Sequence, residues 1–212
     1  MQKKNTISTF LSLANYVADT IAIELLKYYK FKNIKLSKKL VEHQVVTELD
    51  YKIEKIARKL IKSQFPDHNI IGEELKNINK KSDFTWVIDP IDGTKAFISG
   101  IPIFTFLLAL KYKNNYVLGL VDQPVLKERY WNLTNKAYLN NVQIKVRKYK
   151  SFSSSIIAIT DPLMFGNYAL LNQKIFKKLS FIRWGTDALG YMRCAEGIID
   201  GVIERNIKIW DI

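Results

Sequence analysis

Cysteine is almost absent from this sequence, and its scarcity bears on the compartment in which the protein works. The 212 residues include one cysteine, Cys194, so no disulfide can form within the chain. A reducing compartment is therefore expected. Cys194 falls in a predicted helix among mostly apolar residues, and we interpret it as a small core residue rather than a nucleophile.

Long uninterrupted apolar stretches are also lacking. The chain starts with a basic segment, but Ser12, Asn15 and Asp19 break the apolar run that follows, which is not the pattern of a signal peptide. From the sequence, no stretch is expected to approach membrane-spanning length. We therefore expect a cytoplasmic protein that does not contact a membrane.

Acidic residues are few in comparison with basic ones. The chain has 33 Lys and Arg against 20 Asp and Glu, a formal net charge of +13. The lysines are spread along the chain, so we interpret them chiefly as a solvated face, with steering of an anionic partner as the alternative. Because 48% of the residues are hydrophobic, the chain can bury a core, and disorder is excluded.

The order of periodic segments predicts a mixed fold. Apolar residues at steps of three and four predict helices over 7–30 and from Thr47 to Pro66, joined by a basic connector over 31–46. Later segments predict strands at 84–88, 105–110, 116–121, 129–133, 156–160 and 202–204, and helices at 166–178 and 186–195. This order predicts an α+β or layered α/β fold with an N-terminal half, 1–135, and a C-terminal half, 136–212.

The most informative stretch is Asp89-Pro90-Ile91-Asp92-Gly93-Thr94, which follows a short apolar run. Two buried aspartates held toward one point repel each other unless a cation lies between them. Carboxylate oxygen is a ligand that Mg²⁺ prefers, and free N–H groups after Gly93 would suit a phosphate. Taken alone, the stretch is equally typical of an ordinary turn. Its combination with Gly72-Glu73-Glu74 and Trp210-Asp211 favours a metal site.

These blocks resemble the inositol monophosphatase family, and the resemblance runs from the first helix to the last residues. The matching blocks, in order, are Thr47-x-x-Asp50, Gly72-Glu73-Glu74, Asp89 to Thr94 and Trp210-Asp211. The resemblance implies a sugar-phosphatase fold of alternating helix and sheet layers. It also implies a Mg²⁺-dependent phosphoric monoester hydrolase.

The resemblance assigns metal ligands residue by residue. Glu73, Asp89 and the carbonyl of Ile91 would hold one Mg²⁺ ion. Asp89, Asp92 and Asp211 would hold a second. Two such ions would clamp the attacking and leaving oxygens of an in-line displacement.

Further roles follow from the same resemblance. Asp50 would lie behind the site, where it would interact with Thr94 or contribute to a third, weaker metal site. Glu73 and Thr94 would orient the attacking water, with no covalent intermediate. The backbone of Gly93 and Thr94 would hold the phosphate.

Substrate recognition is implied by later blocks that resemble the histidinol-phosphatase branch. Lys95-Ala96-Phe97 stands where inositol-hydrolysing members more often carry an asparagine–phenylalanine pair. The block Arg183-Trp184-Gly185-Thr186-Asp187 resembles the family's substrate-contacting turn, and Glu204 matches a substrate position. Asp187 and Glu204 would pair with the ammonium and imidazole groups of histidinol phosphate. Alternatively, Asp187 stabilises a helix N-terminus by its charge.

The sequence departs from the family pattern at its end. Family members continue after the aspartate that matches Asp211 with a helix, a glycine-rich turn and further strands. Without these elements we expect Asp211 to be held loosely, the second Mg²⁺ to bind weakly and the last strand to expose an edge. This pattern indicates either a decayed gene product or a fold that another chain completes.

Two classes of function remain open. The first is a phosphatase acting on a small phosphorylated metabolite, histidinol phosphate before inositol monophosphate, as the homodimer typical of the family. The second is an inactive truncated member that binds RNA or a protein through its basic surface. The retained Glu73, Asp89, Asp92, Thr94 and Asp211 favour catalysis.

Overall fold

The computed structural model describes residues 2–30, 36–38, 45–133, 135–168 and 174–211. The helices are α1 (Gln2–Tyr28), α2 (Glu48–Gln64), α3 (Thr94–Ile98) and α4 (Asp187–Ala195), with 3₁₀ helices at Phe152–Ser154 and Pro162–Tyr168. The strands are β1 (Leu36–Lys38), β2 (Val45–Thr47), β3 (Asn69–Gly72), β4 (Phe84–Asp92), β5 (Thr105–Tyr112), β6 (Asn115–Gln123), β7 (Glu128–Leu133), β8 (Lys136–Leu139), β9 (Val142–Ile144), β10 (Ile156–Ile159), β11 (Phe181–Trp184) and β12 (Gly201–Val202).

Helix α2 begins where the sequence predicts, because Thr47 and Asp50 cap its first turn. Thr47 Oγ1 accepts hydrogen bonds from the N–H groups of Leu49 (3.1 Å) and Asp50 (3.4 Å). Asp50 Oδ2 accepts one from the N–H of Thr47 (2.8 Å), which completes a capping box with aspartate in place of glutamate. The helix ends at Gln64, two residues before Pro66.

Helix α1 packs its apolar stripe into the core. The most deeply buried members of that stripe are Leu13, Ala14, Val17, Ala18, Ile21 and Leu25. By length and composition alone, the segment from Ser8 to Tyr28 is apolar enough to cross a membrane. The prediction that no stretch approaches membrane-spanning length is therefore wrong on those two measures. The same apolar residues that raise the hydropathy pack against α2 and the large sheet.

The large sheet has seven strands in the order β3-β4-β5-β6-β7-β8-β9, antiparallel except for the β3–β4 pair. Side chains alternate between its faces along each strand. Phe106, Leu108 and Leu110 of β5 point to the helices and are buried in the main core. Leu107 and Ala109 line a cavity of about 270 Å³ between the opposite face and α4.

A second sheet has three parallel strands in the order β11-β10-β12. Ile157, Ile159, Phe165 and Leu179 form its small core. Together the two sheets and their helices confirm the predicted layered α/β fold. The large sheet extends through β9 to Ile144, past the proposed division at residue 135, and the division into domains stays a prediction.

Some elements were not predicted from the sequence. Strands β8 and β9 are short and meet at Asn140 and Asn141, whose φ angles of 45° and 69° suit a tight hairpin turn. Of the helix predicted over 166–178, residues 174–176 are helical, whereas 166–168 belong to the 3₁₀ segment Pro162–Tyr168, in which Gly166 has a non-helical φ of 50° and ψ of −128°. Residues 169–173 of that prediction, and most of the 31–46 connector, lie outside the described residues.

Candidate active site

A β-bulge at the end of β4 brings Asp89 and Asp92 together. Asp89 pairs with Leu107 and Asp92 pairs with Thr105, so three steps on β4 match two on β5. Residues three apart on a regular strand point to opposite faces, whereas the extra residue of a bulge re-aims one of them. The negative charge of Asp92 acts on Asp89, as expected for neighbouring side chains.

Glu73 lies on the loop after β3, and a buried ion pair on α2 fixes that loop. Glu54 accepts hydrogen bonds from the N–H groups of Glu74 (2.7 Å) and Leu75 (3.2 Å). Arg58 binds Glu54 (2.7 Å) and also donates to the Leu75 carbonyl (3.0 Å). Both charged residues are buried. The loop that carries Glu73 is thus held from both sides of its backbone.

Gly72 is required by the same contact. A Cβ atom at this position would lie 2.1 Å from Glu54 Oε1, which is well inside van der Waals distance. Any larger residue would therefore displace the Glu54 carboxylate from the loop. Gly72 pairs with Ile88, so the loop starts beside the end of β4.

Thr94 and Asp50 contact each other beside the segment that carries Asp89 and Asp92. Thr94 Oγ1 lies 2.9 Å from the Ile91 carbonyl, to which it donates, and 3.4 Å from Asp50 Oδ1. Burial raises the pKa of Asp50 to about 6. The predicted neighbours Asp50 and Thr94 are therefore in contact, and the Ile91 carbonyl accepts the Thr94 hydroxyl.

The first turn of α4 closes the site from the C-terminal half. The N–H of Ala188 donates to Asp92 Oδ2 at 2.7 Å. Gly93 has a φ of 76°, and a Cβ there would lie 3.0 Å from Asp187 Oδ2. Asp187 itself adopts a positive φ of 46°, which is uncommon for a residue other than glycine. Burial, and next the charge of Glu204, raise the pKa of Asp187 to about 6.

Glu204 is held by two hydroxyl groups. Thr160 Oγ1 donates to Glu204 Oε1, and Tyr191 donates to Glu204 Oε2 at 2.9 Å. Thr160 Oγ1 also accepts the N–H of Asp187 at 3.1 Å. Thr160 therefore links the Glu204 carboxylate to the backbone of Asp187, the other residue predicted to contact substrate.

A cavity of about 200 Å³ joins these groups. Its lining includes five acidic residues, Glu73, Asp92, Asp187, Glu204 and Asp211. Asp211 Oδ2 accepts the N–H of Lys208 at 2.6 Å, and its charge reaches both Glu73 and Asp89. Carboxylates from β4, the β3 loop, α4 and the chain end therefore meet in one place.

Burial raises the pKa of Glu73, Asp89 and Asp92, which lie in or beside this cavity. The pKa of Glu73 rises to about 7, first through burial and then through the charge of Glu74. Burial and neighbouring carboxylates raise the pKa of Asp89 and Asp92 well above the ordinary range. Asp89 is 3% exposed and shares a hydrogen bond with Glu73. Such a cluster of anions is costly unless protons or a cation neutralise it.

A hard divalent cation fits this set of donors. All of the side-chain atoms available as metal ligands are carboxylate oxygens. In the described ranges, no lysine or arginine forms an ion pair with Glu73, Asp89 or Asp92. As the side chains stand, no three acidic, histidine or cysteine residues of the described chain enclose one point at ligand distance. The assignment of each ligand therefore stays a prediction.

Three predicted substrate residues lie outside the lining of the acidic cavity. Arg183 is exposed on β11, and Gly185 and Thr186 lead from that strand into α4. None of the three lines the acidic cavity. Thr186 Oγ1 is buried without a hydrogen-bond partner in the described part of the chain. Their contact with substrate stays a prediction.

Several residues that shape the site were not found by sequence reasoning. Glu54 and Arg58 look like an ordinary i, i+4 pair on a helix. Tyr191 lies four residues after Asp187, on the same face of α4. Arg193 anchors that helix to β7 by donating to Tyr130 (2.7 Å) and Glu128 (2.7 Å). For Tyr191 and Arg193, the only signal in the sequence was the spacing of polar residues along α4.

The fold and the site define a layered α/β protein with an acidic cavity that suits a divalent cation. Comparison with known proteins gives its family. The model of the inositol monophosphatase family matches residues 7–212. The chain belongs to the inositol monophosphatase family.

Individual relatives carry different names. The chain is 34% identical over 209 residues to the bifunctional phosphatase IMPL2, chloroplastic, of Arabidopsis thaliana, covering 97% of this chain and 60% of that protein. It is 35% identical over 173 residues to the Nus factor SuhB of Haemophilus influenzae, covering 78% and 65%. It is 28% identical over 206 residues to a histidinol-phosphatase of Chlorobaculum parvum, covering 95% and 78%.

Among solved structures, the extragenic suppressor protein SuhB of Bartonella henselae superposes with a TM-score of 0.89 at 27% identity. The match covers 96% of this chain and 81% of that one. The chain thus shares the fold of these proteins, while it spans only 60% and 65% of the length of the first two curated relatives.

Proposed function

We propose that this chain is a phosphomonoesterase that uses Mg²⁺ to hydrolyse a small, positively charged phosphate ester, with histidinol phosphate as the first candidate. The observation that carries the proposal is the five-carboxylate cavity. Glu73, Asp89 and Asp92, with Asp211, would hold the metal. When bound, the metal would supply Lewis-acid stabilisation of the phosphoryl oxygens and lower the pKa of the attacking water.

The chain's own residues would orient the reactants. Glu73, held by the clamped loop, would accept a proton from the attacking water through its carboxylate. Thr94, fixed by its bond to the Ile91 carbonyl, would position the same water. The N–H groups that follow Gly93 would face the phosphate.

The charge of the cavity supports a cationic substrate. Asp187 and Glu204 are two carboxylates beyond the set that would hold metal. An ammonium or imidazolium group would neutralise them, whereas a neutral ring would leave at least one charge unpaired. The relative named histidinol-phosphatase agrees with this choice, and inositol monophosphate is the runner-up.

The test is phosphate release from histidinol phosphate and inositol monophosphate, each with and without Mg²⁺. We expect metal-dependent release, faster from histidinol phosphate. Asp187→Ala should weaken histidinol phosphate hydrolysis more than inositol phosphate hydrolysis, while Asp83→Ala, which removes the same charge at an exposed site, should change neither. Phosphate release that does not depend on Mg²⁺, or an equal loss of hydrolysis on both substrates in Asp187→Ala, would contradict the proposal.

A second function, RNA binding, is favoured by one feature of α2. Lys55, Lys59 and Lys62 lie on its exposed face at steps of four and three. If this face binds RNA, affinity should fall steeply as salt rises, and replacing the three lysines should reduce the slope. A salt-independent affinity would remove this alternative.

A further inference from the structure

Tyr191 is placed to control one of the substrate carboxylates without being a metal ligand or a reacting group. It lies on α4, four residues and about one turn after Asp187. Its hydroxyl donates to Glu204 Oε2 at 2.9 Å, across from the hydroxyl of Thr160 on Oε1. Both oxygens of Glu204 are therefore held by hydroxyl donors.

This arrangement leaves Glu204 able to accept from a ligand. Each carboxylate oxygen has two acceptor positions, and Tyr191 and Thr160 occupy one on each. The remaining positions can accept donors from the acidic cavity, whose lining includes Glu204 and Tyr191. A carboxylate fixed in this way does not have to be ordered when a ligand binds, so less conformational entropy is lost.

The phenol is suited to this role because it stays a donor. Burial, and next its hydrogen bond to Glu204, raise the pKa of Tyr191 above its ordinary value. The titratable groups whose charges also act on it are Asp211 and Asp92, which raise that pKa further. Tyr191 therefore keeps its proton throughout the neutral range.

We infer that Tyr191 is a positioning residue that fixes Glu204 for the cationic group of the substrate and so sets the preference for positively charged phosphate esters. This inference rests on the proposed phosphatase function. It adds that selectivity depends on a hydroxyl that touches neither metal nor phosphate. Loss of that hydroxyl should weaken binding of the cation and leave the chemical step in place.

The test compares Tyr191→Phe with wild type on histidinol phosphate and on phenyl phosphate, which has no group for Glu204. KM for histidinol phosphate should rise about tenfold, as expected for losing a hydrogen bond to a charged acceptor. Its kcat, and both constants for phenyl phosphate, should change less than about twofold. Tyr138→Phe is the matched control, since it removes a tyrosine hydroxyl from the neighbouring cavity and leaves the ring in place.

The outcomes separate this inference from the proposed function. If wild type hydrolyses both esters and Tyr191→Phe keeps the same preference, the inference is overturned while the phosphatase function stands. If wild type hydrolyses neither, the function fails, and calorimetry with histidinol itself decides the inference. Weaker histidinol binding by Tyr191→Phe than by wild type and Tyr138→Phe would support it. Equal binding, or none to wild type, would overturn it.

Discussion

The acidic cavity is shared by two regions that differ in the size of the hydrophobic core behind their carboxylates. In the first, from α1 to β9, 22 buried hydrophobic residues form one described core, and Asp89 is 3% exposed. In the second, from β10 to Asp211, the described core has four buried residues. Its carboxylates are partly buried, as are Glu73 and Asp92 of the first region. Rigid support is needed to hold metal ligands, whereas substrate groups can be met by a more adaptable surface. We expect metal affinity to depend mainly on the first region and substrate preference on the second.

The largest effect is expected from a substitution in the part of the site that the first region supplies. Asp89→Asn should lower metal-dependent hydrolysis on the order of 10³-fold, because a metal's electrostatic contribution is worth several kcal/mol. Asp211→Asn, in the second region, should lower it about tenfold under the same comparison. Steady-state phosphate release measures both. Equal losses would show that the two regions contribute alike to metal binding.

The difference in packing should appear in stability. Phe106→Ala removes a fully buried ring from the large core and should cost about 3–5 kcal/mol of unfolding free energy. Phe165→Ala removes a ring from the small core, which can collapse more readily, and should cost about 2 kcal/mol. Urea unfolding of the two variants gives both values. A larger cost at Phe165 would reverse the comparison.

The buried ion pair that clamps the Glu73 loop should matter next. Arg58→Leu leaves Glu54 buried without its partner and should cost about 3 kcal/mol. Arg147→Leu breaks the more exposed pair with Asp200 in the second region and should cost much less. Thermal unfolding compares the two. Arg58→Leu should also reduce the rise in unfolding temperature that Mg²⁺ produces, because Arg58 holds the loop that carries Glu73. An unchanged rise would exclude a role of Arg58 in metal binding.

The smallest expected effect is a pH dependence in the second region. The Arg147 guanidinium, and next the N–H of Ile156, lower the pKa of Asp200 to about 2. Because this pKa lies below that of an unfolded aspartate, the stabilisation is complete above about pH 4 and is lost as pH falls toward 2. Unfolding midpoints between pH 2 and 5 should fall less in Arg147→Leu than in wild type. Parallel curves would exclude this contribution.

Parts of the first region could be predicted from sequence because their signals are local. The Thr47–Asp50 capping box fixes the start of α2 within four residues, and both carboxylates at the end of β4 lie within the four residues from Asp89 to Asp92. Pro66 likewise marks the end of the helix. Such features depend on neighbours in the chain, which a sequence shows directly.

Other features depend on residues far apart in the chain. The bond from Ala188 to Asp92 joins positions 96 residues apart, and no local pattern announces it. In the sequence, the Glu54–Arg58 pair resembles an ordinary surface pair. In the structure it is buried, because the loop after Gly72 covers it. Strand β11 escaped prediction because Phe181, Arg183 and Trp184 are exposed, so it has no alternation of buried and exposed residues.

The most direct test of the central claim is calorimetric titration of Mg²⁺ into wild type, Asp89→Asn and Asp211→Asn. If the first region holds the metal, wild type should bind Mg²⁺, Asp211→Asn should keep at least one site, and Asp89→Asn should bind none. Circular dichroism should show that all three are folded. Unchanged Mg²⁺ binding by folded Asp89→Asn would contradict the account.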